Sequence, residues 1–376
     1  MNAKSHRRTI LRPNARVRYA VVGLGYIAQS AVLPGFANAR SNSELVALVS
    51  DDPVKLQKLG RRYKTRILTG YEGYDALLRS GDIDAVYIAL PNHLHHPYTL
   101  RAAQAGIHVL CEKPMALDED ECEDMIKACD KFDVRLMIAY RLHFERANLR
   151  AIEAVRQGRI GVPRAFGSEF VTQVQEPNIR LEGELGGGTL YDIGIYCINA
   201  ARYLFRAEPT EVFASSANSG DRRFEEVDEM TSAILRFPDE RLATFTASFG
   251  AARAGVYRVL GTRGVLELEN AYAIGEKKTL TIGRARPRTF AASDQFGPEL
   301  AYFSNCVRTR RQPEPDGREG LADVRVIRAL TRSAETRGAV KLDEFKKAAR
   351  PDLGQEIDRP KIEEPELVHA DAPSKD

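Results

Sequence analysis

The stretch Arg18-Tyr-Ala-Val-Val-Gly23-Leu-Gly25-Tyr-Ile-Ala28 limits the possible folds more than any other part of this chain. A short apolar run reads as a buried strand, and it enters Gly-x-Gly-x-x-Ala with helix-like residues continuing to Asn38. Gly23 suits the tight turn, Gly25 lets a ligand's pyrophosphate approach the backbone, and Ala28 allows close helix–strand packing. The unpaired N–H groups and the dipole of the helix start then favour an anion. A second strand, Glu44–Ser50, follows at βαβ spacing. The unit predicts dinucleotide binding, with Gly23, Gly25, Tyr26 and Ile27 against the cofactor.

At the tip of the second strand the chain reads Val49-Ser50-Asp51-Asp52-Pro53-Val54-Lys55. A hydroxyl at Ser50 and an ammonium at Lys55 suit the 2′-phosphate of NADP. Asp51 and Asp52 pull the other way, although a carboxylate ahead of Pro53 also serves as a helix cap. The balance favours NADP and leaves NAD open. Alternation then continues through the strand Asp84–Leu90, which ends at Pro91-Asn92, and through Ile107–Cys111, which ends at Glu112-Lys113-Pro114. Lys113 at a strand's carboxyl end opens into the crevice where such sheets bind ligands. A helix over Asp118–Asp130 and a sixth strand, Val134–Tyr140, complete a doubly wound layer.

From Pro163 the texture changes to strands with period-two alternation, among them Arg164–Val174, Glu211–Ala217, Met230–Phe237 and Leu242–Phe249. The prediction is therefore an α/β chain. A Rossmann (doubly wound parallel) domain over 17–140 precedes an α+β domain over 141–342 with a large, mostly antiparallel open sheet. A basic arm, 1–16, stands before them, and a charged tail, 343–376, follows as a loosely ordered segment. The second domain holds Gly186–Asn199, a glycine loop running into a helix. Asp192 and Tyr196 lie four apart there and share a face.

Composition removes several classes. A net charge of +3 spread over mixed signs argues against a nucleic-acid binder, and no apolar run is long enough to span a membrane. Five cysteines without CxxC spacing read as reduced thiols of a cytoplasmic protein. His93, His95 and His96 cluster, but no carboxylate or cysteine partner stands beside them, so no metal site is predicted.

Several stretches together carry a family resemblance. They are Asp84-Ala-Val-Tyr-Ile-Ala-Leu-Pro-Asn92-His-Leu-His95, Val109-Leu-Cys-Glu-Lys-Pro-Met115, Tyr140-Arg141-Leu-His143-Phe, Gly186–Asn199 and Arg222-Arg-Phe-Glu-Glu-Val227. With them the chain resembles the glucose–fructose oxidoreductase/inositol dehydrogenase (Gfo/Idh/MocA) family over about Arg16 to Leu342, nearest the glucose–fructose branch. That branch carries tyrosine where Tyr196 stands and most of the family has histidine. It places serine and lysine at Ser50 and Lys55, with a tyrosine matching Tyr71, and holds NADP tightly.

The resemblance implies a cofactor wall that also includes Leu90, Asn92, His95, Glu112, Lys113 and Arg141, and homodimers or homotetramers formed through the open sheet. It implies hydride transfer between the nicotinamide and a sugar or polyol, most directly an aldose. Inositol, other polyol and dihydrodiol oxidation, and cofactor-dependent sensing without turnover, are the alternatives. In this reading Tyr196 is the base, Lys113 favours its phenolate and donates to the reacting oxygen, and Asp192 orients Lys113 or the sugar. Arg141 and His143 are candidates for carboxamide or substrate contacts.

Overall fold

The computed structural model describes residues 15–374. All but the last two residues of the basic arm lie outside them.

Six strands form the first sheet: β1 (Val17–Val22), β2 (Ser43–Val49), β3 (Ile67–Thr69), β4 (Ala85–Ile88), β5 (His108–Cys111) and β6 (Leu136–Ile138), in the order β3-β2-β1-β4-β5-β6. Every pairing in it is parallel. All four residues of β4 are buried, as are five of the six in β1, because helices cover both faces. The exception in β1, Arg18, grips Asp84 with its Nε and Nη2 at 2.9 and 2.8 Å, so its charge is matched at the sheet's lower edge. Strand order reverses between β1 and β4, and the loops leaving these two strands open the crevice of such a sheet.

The second sheet holds β7 (Pro163–Val171), β8 (Glu211–Ala217), β9 (Met230–Phe237), β10 (Arg241–Ser248), β11 (Ala254–Gly261), β12 (Val265–Glu269), β13 (Lys278–Ile282), β14 (Arg288–Phe290) and β15 (Val340–Lys341). Their order is β14-β13-β12-β11-β7-β10-β9-β8-β15, antiparallel throughout except where β7 meets β10. Along β9 exposed and buried residues alternate without a break, so one face meets the core and the other faces outward. The helix Ile195–Phe205 lies in the core, with ten of its eleven residues buried.

Two segments differ from the sequence reading. A helix over Phe296–Thr309, assigned no element above, packs back on the first domain. There Ser304 Oγ meets Tyr19 Oη at 2.7 Å and Leu300 and Phe303 join the core around β1. The tail has little regular structure, as its composition implies, yet it is seated rather than loose. Arg350, Gln355 and Val368 are buried, and Glu356 receives both Arg146 and Arg150. Of its large apolar residues Val368 is buried, and Phe345, Leu353 and Ile357 pack partly buried against the two cores. Among the described residues no helix is long and apolar enough to cross a membrane, and no cluster of His, Cys, Asp or Glu could hold a metal ion.

Candidate active site

A cavity of about 930 Å³ runs between the two domains. Its floor is the glycine turn. Gly23 sits at φ +92°, and a Cβ there would come 2.4 Å from the Ala89 carbonyl oxygen, so only glycine fits. Gly25 faces open space, with nothing within 4 Å of a built Cβ. A bare backbone beside a helix start, open to a long cavity, fits the pyrophosphate of a dinucleotide. Tyr26, Ile27, Ser50, Lys55, Tyr71, Leu90, Asn92, Glu112, Lys113 and Arg141 also line this cavity.

The Asp52 carboxylate, which the sequence set against a 2′-phosphate, is already engaged. Its Oδ1 caps the following helix by accepting from the Val54 and Lys55 amides at 2.8 and 3.1 Å. Its Oδ2 lies 2.7 Å from His369 Nδ1. Asp51 stays exposed on the rim.

At the other end, Lys113 leaves β5 and reaches into the second domain. Its Nζ donates to the Asp192 carbonyl at 2.8 Å and to Asp192 Oδ1 at 3.0 Å, and it stands 4.9 Å from the centre of the Tyr196 ring. The first turn of that helix, Leu190–Gly194, is a wider π turn, the kind found often at functional sites. Burial pulls the Lys113 ammonium down, but Asp192, Tyr196 and Glu112 together outweigh it and hold its pKa above the ordinary lysine value. Burial likewise pushes Asp192 up, and the charges of Arg180 and Lys113 together hold it well below the usual carboxylate range. This end of the cleft therefore keeps a lysine ammonium and an aspartate carboxylate at neutral pH.

Arg180 was not singled out in the sequence. It donates from Nε to Asp192 Oδ2 at 2.6 Å, so both carboxylate oxygens are taken. The glycine loop puts it there. Gly188 and Gly187 donate their amides to the carbonyls of Arg180 and Glu182 at 2.9 and 3.0 Å. A Cβ on Gly187 would lie 2.6 Å from the Arg180 carbonyl oxygen. No residue with a side chain allows that approach. Nothing periodic in the sequence marks this arginine, since it arrives from an irregular loop.

Arg141 lines the cavity, and each of its three guanidinium nitrogens donates within the protein. Nε donates to Tyr196 Oη at 3.1 Å, Nη1 to Gln295 Oε1 at 2.6 Å and Nη2 to the Tyr272 carbonyl at 2.7 Å. Its guanidinium carbon lies 4.7 Å from the Tyr196 ring centre. The tyrosine is thus flanked by two cations and braced edge-on by Phe170 at 5.5 Å.

Two histidines expected as contacts fall outside the cavity. His95, expected against the cofactor, is fully buried, and its ring nitrogens face the carbonyls of Pro114 at 2.7 Å and Leu90 at 2.9 Å. It ties together the two loops that carry Leu90 and Lys113. Burial lowers its pKa to about 4 against the pull of those carbonyls. His143 is also buried, 2.8 Å from Asn199 Oδ1, and so does not reach a substrate. Asn92 does line the cavity, with its amide donating to the Gly186 carbonyl at 2.7 Å across the domain boundary. Glu112 accepts from Tyr87 Oη at 2.7 Å, and burial raises its pKa.

Fold and cleft together define a two-domain dinucleotide-fold protein, with an ammonium, a carboxylate and a phenol gathered at the domain boundary. Residues 17–140 match the family described as "Oxidoreductase family, NAD-binding Rossmann fold", and residues 148–267 match the "GFO/IDH/MocA C-terminal domain". The chain belongs to the Gfo/Idh/MocA oxidoreductase family. It is 34% identical over 338 residues to D-xylose 1-dehydrogenase [NADP(+)] of Haloarcula marismortui, covering 87% of this chain and 93% of the relative. The solved structure of aldose-aldose oxidoreductase from Caulobacter crescentus, complexed with glycerol, superposes with a TM-score of 0.82. It is 38% identical and covers 87% of this chain and all of its own. KijD10, a 3-ketoreductase from Actinomadura kijaniata in complex with NADP and TDP-benzene, superposes with a TM-score of 0.77 at 26% identity, covering 85% of this chain and 98% of its own.

Proposed function

We propose that this chain is an NADP(H)-dependent oxidoreductase that moves hydride between the nicotinamide and an alcohol or carbonyl carbon of a sugar, an aldose in the first instance. The observation that carries the reading is the meeting of Lys113 from one domain with Asp192 and Tyr196 from the other over a single cavity. A cofactor-dependent sensor has no need of that cluster. The relatives named above, two of them aldose enzymes, support the substrate class.

The cofactor, when bound, supplies the hydride acceptor or donor. Gly23, Gly25, Tyr26 and Ile27 hold its pyrophosphate. Ser50, Lys55 and Tyr71 take the 2′-phosphate end, and Leu90, Asn92 and Glu112 form the inner wall. Tyr196 moves the proton of the reacting hydroxyl. Because Arg141 donates to the phenol oxygen, the phenol's own O–H is free to point into the cleft. Negative charge that develops on that oxygen faces Arg141 and Lys113, which stabilise it. Among the described residues Lys113 spends two of its three N–H donors on Asp192, and the third donates to the substrate oxygen. Asp192 and Arg180 fix Lys113 in place. Arg141 is a positioning residue for Tyr196.

The outward face of the second sheet exposes Phe213, Ile234, Leu242, Leu260 and Val265, and Phe213 pairs directly with Ile234. That face is the interface of a homodimer or homotetramer, which light scattering of the purified protein reads directly. All five cysteines are buried and free, in keeping with a reducing, cytoplasmic setting. The function is tested by following reduced-nicotinamide absorbance with NADP or NAD and a panel of aldoses and polyols. The expected result is reduction of NADP by an aldose. No change with any sugar would overturn the reading, and a clear preference for NAD would overturn the role of Ser50 and Lys55.

A further inference from the structure

The polypeptide's last stretch returns to the mouth of the dinucleotide cavity, which Lys361, Ile362, Glu364 and residues 369–374 help to line. Side-chain anchors hold it there in place of regular structure. Arg359 Nε donates to the Asn38 carbonyl at 3.0 Å, and Asn38 Nδ2 donates to the Pro360 carbonyl at 3.0 Å. Val368 is only 4% exposed and packs into the core of the first domain. The buried side chain of Gln29 clasps it from both sides of the peptide. Val368 N donates to Gln29 Oε1 at 2.8 Å, and Gln29 Nε2 donates to the Val368 carbonyl at 2.9 Å. A glutamine amide offers the donor and acceptor of a strand neighbour, so this contact acts as a one-residue bridge. Gln29 immediately follows Ala28 of the glycine motif.

The next anchors lie at opposite rims. His369 meets Asp52 in the corner shared by Ser50 and Lys55. Pro373 then accepts from the Gln175 amide at 3.1 Å, on the chain just past β7 in the second domain. Five residue steps separate Val368 from Pro373, and an extended chain covers at most about 18 Å in that number. While both anchors hold, these two points stay within that span, and residues 370–372 run between them along the cavity mouth. A dinucleotide lying along the glycine turn is enclosed beneath them.

We propose that residues 361–374 form the outer wall of the dinucleotide site and act as a strap that retains the cofactor, so that release waits for the strap to undock. The proposal rests on the NADP(H) reading above. It extends that site to a segment beyond both family-matched regions, the second of which ends at residue 267. Three proteins test it: the full chain, a chain ending at Pro360, and the full chain carrying Val368→Asp, which puts a charge into the apolar anchor. Each is loaded with NADPH and chased with excess NADP in a stopped-flow instrument, while the fluorescence of bound NADPH is followed.

The strap predicts slow release from the full chain and release at least roughly tenfold faster from both variants. Thermal unfolding checks each fold, and if the shortened chain does not fold, Val368→Asp alone decides. Equal release from a folded variant and the full chain overturns the strap and leaves the cofactor reading standing. Failure of the full chain to bind NADPH overturns both.

Discussion

The helical segment from Leu190 to Phe205 carries a buried charge cluster at each end. At its start Asp192 sits between Lys113 and Arg180, and one side of the cluster opens on the cleft. About three turns further on, Arg202 is wholly buried among Glu208, Glu319 and Asp323, and none of these four residues lines the cavity. Both clusters satisfy their hydrogen bonds, so chemistry and architecture cannot be told apart by pairing alone. The difference is what remains over. Among the described residues Lys113 and Tyr196 each keep a polar hydrogen that no protein acceptor takes, whereas Arg202 spends all of its guanidinium on carboxylates. Charge at the cleft stays open to the cavity; charge about three turns away is committed to holding the helix in place.

Substitution at each end separates the two. Tyr196→Phe removes the proton path while keeping the ring between its cations. Turnover is expected to fall about 10²–10⁴-fold. NADP affinity and the unfolding midpoint should stay near those of the parent, as fluorescence titration and calorimetry would read. Equal turnover would take Tyr196 out of the chemistry. At the far end, Arg202→Met leaves buried Asp323 without its cation, and Glu208 and Glu319 with only Arg350 and Lys347. Breaking such a cluster costs about 3–5 kcal/mol of stability, which denaturant unfolding would register. Per folded molecule, hydride transfer should change little. A variant with full stability and impaired turnover would reverse the assignment of the two ends.

How much of this could be read beforehand follows from the kind of signal each part carries. β9 was found over its full length, Met230–Phe237, because one of its faces is wet and the alternation survives in the sequence. The helix Phe296–Thr309 was not, because it is buried nearly all round and so shows no amphipathic stripe. In the site, Asp192 and Tyr196 were legible from their spacing and Lys113 from its place at a strand's end. Arg180, Tyr272 and Gln295 reach the same point from irregular stretches, where only the folded chain brings them together. His95 was placed against the cofactor by the family resemblance alone, and it starts a helix whose first turn is turned inward. Whether it faces a cleft or two carbonyls depends on a loop whose path the sequence does not mark.

A finer cut lies within the cleft cluster. Arg180→Met removes one of the two cations on Asp192 and leaves Lys113 to hold it alone. The carboxylate then has one oxygen free to swing, and Lys113 loses part of its orientation. Turnover is expected to drop by roughly tenfold, with the Michaelis constant for the sugar changed less. If the Michaelis constant alone rises, Arg180 contacts the sugar and does not act through Asp192.

The smallest effect belongs to the buried cluster and is read in pH. Around Arg202 the described carboxylates outnumber the cations. Glu208, Glu314, Glu319 and Asp323 face Arg202, Lys347 and Arg350, with His143 kept neutral by burial, its pKa lowered to about 4. One carboxyl must therefore hold a proton more tightly than usual. Burial and the neighbouring Glu319 charge push Glu314 up to about 7 despite Lys347, and burial raises Asp323 as well.

An acid whose folded pKa lies above its unfolded value stabilises the fold below that unfolded value. The contribution is lost as pH rises through the folded pKa, because the unfolded chain then binds fewer protons. Two buried histidines titrate in the opposite sense below about 6.5, so the cleanest reading is a difference between two proteins. Glu314→Gln mimics the protonated carboxyl at every pH. Relative to the parent it should gain stability from about pH 4.5 to about 7, most steeply midway, and level off above that, in paired calorimetric scans. A difference that does not vary with pH would mean the surplus proton sits on Asp323 instead. The same scans on Asp323→Asn would then show the slope, still confined to the end of the helix that lies away from the cleft.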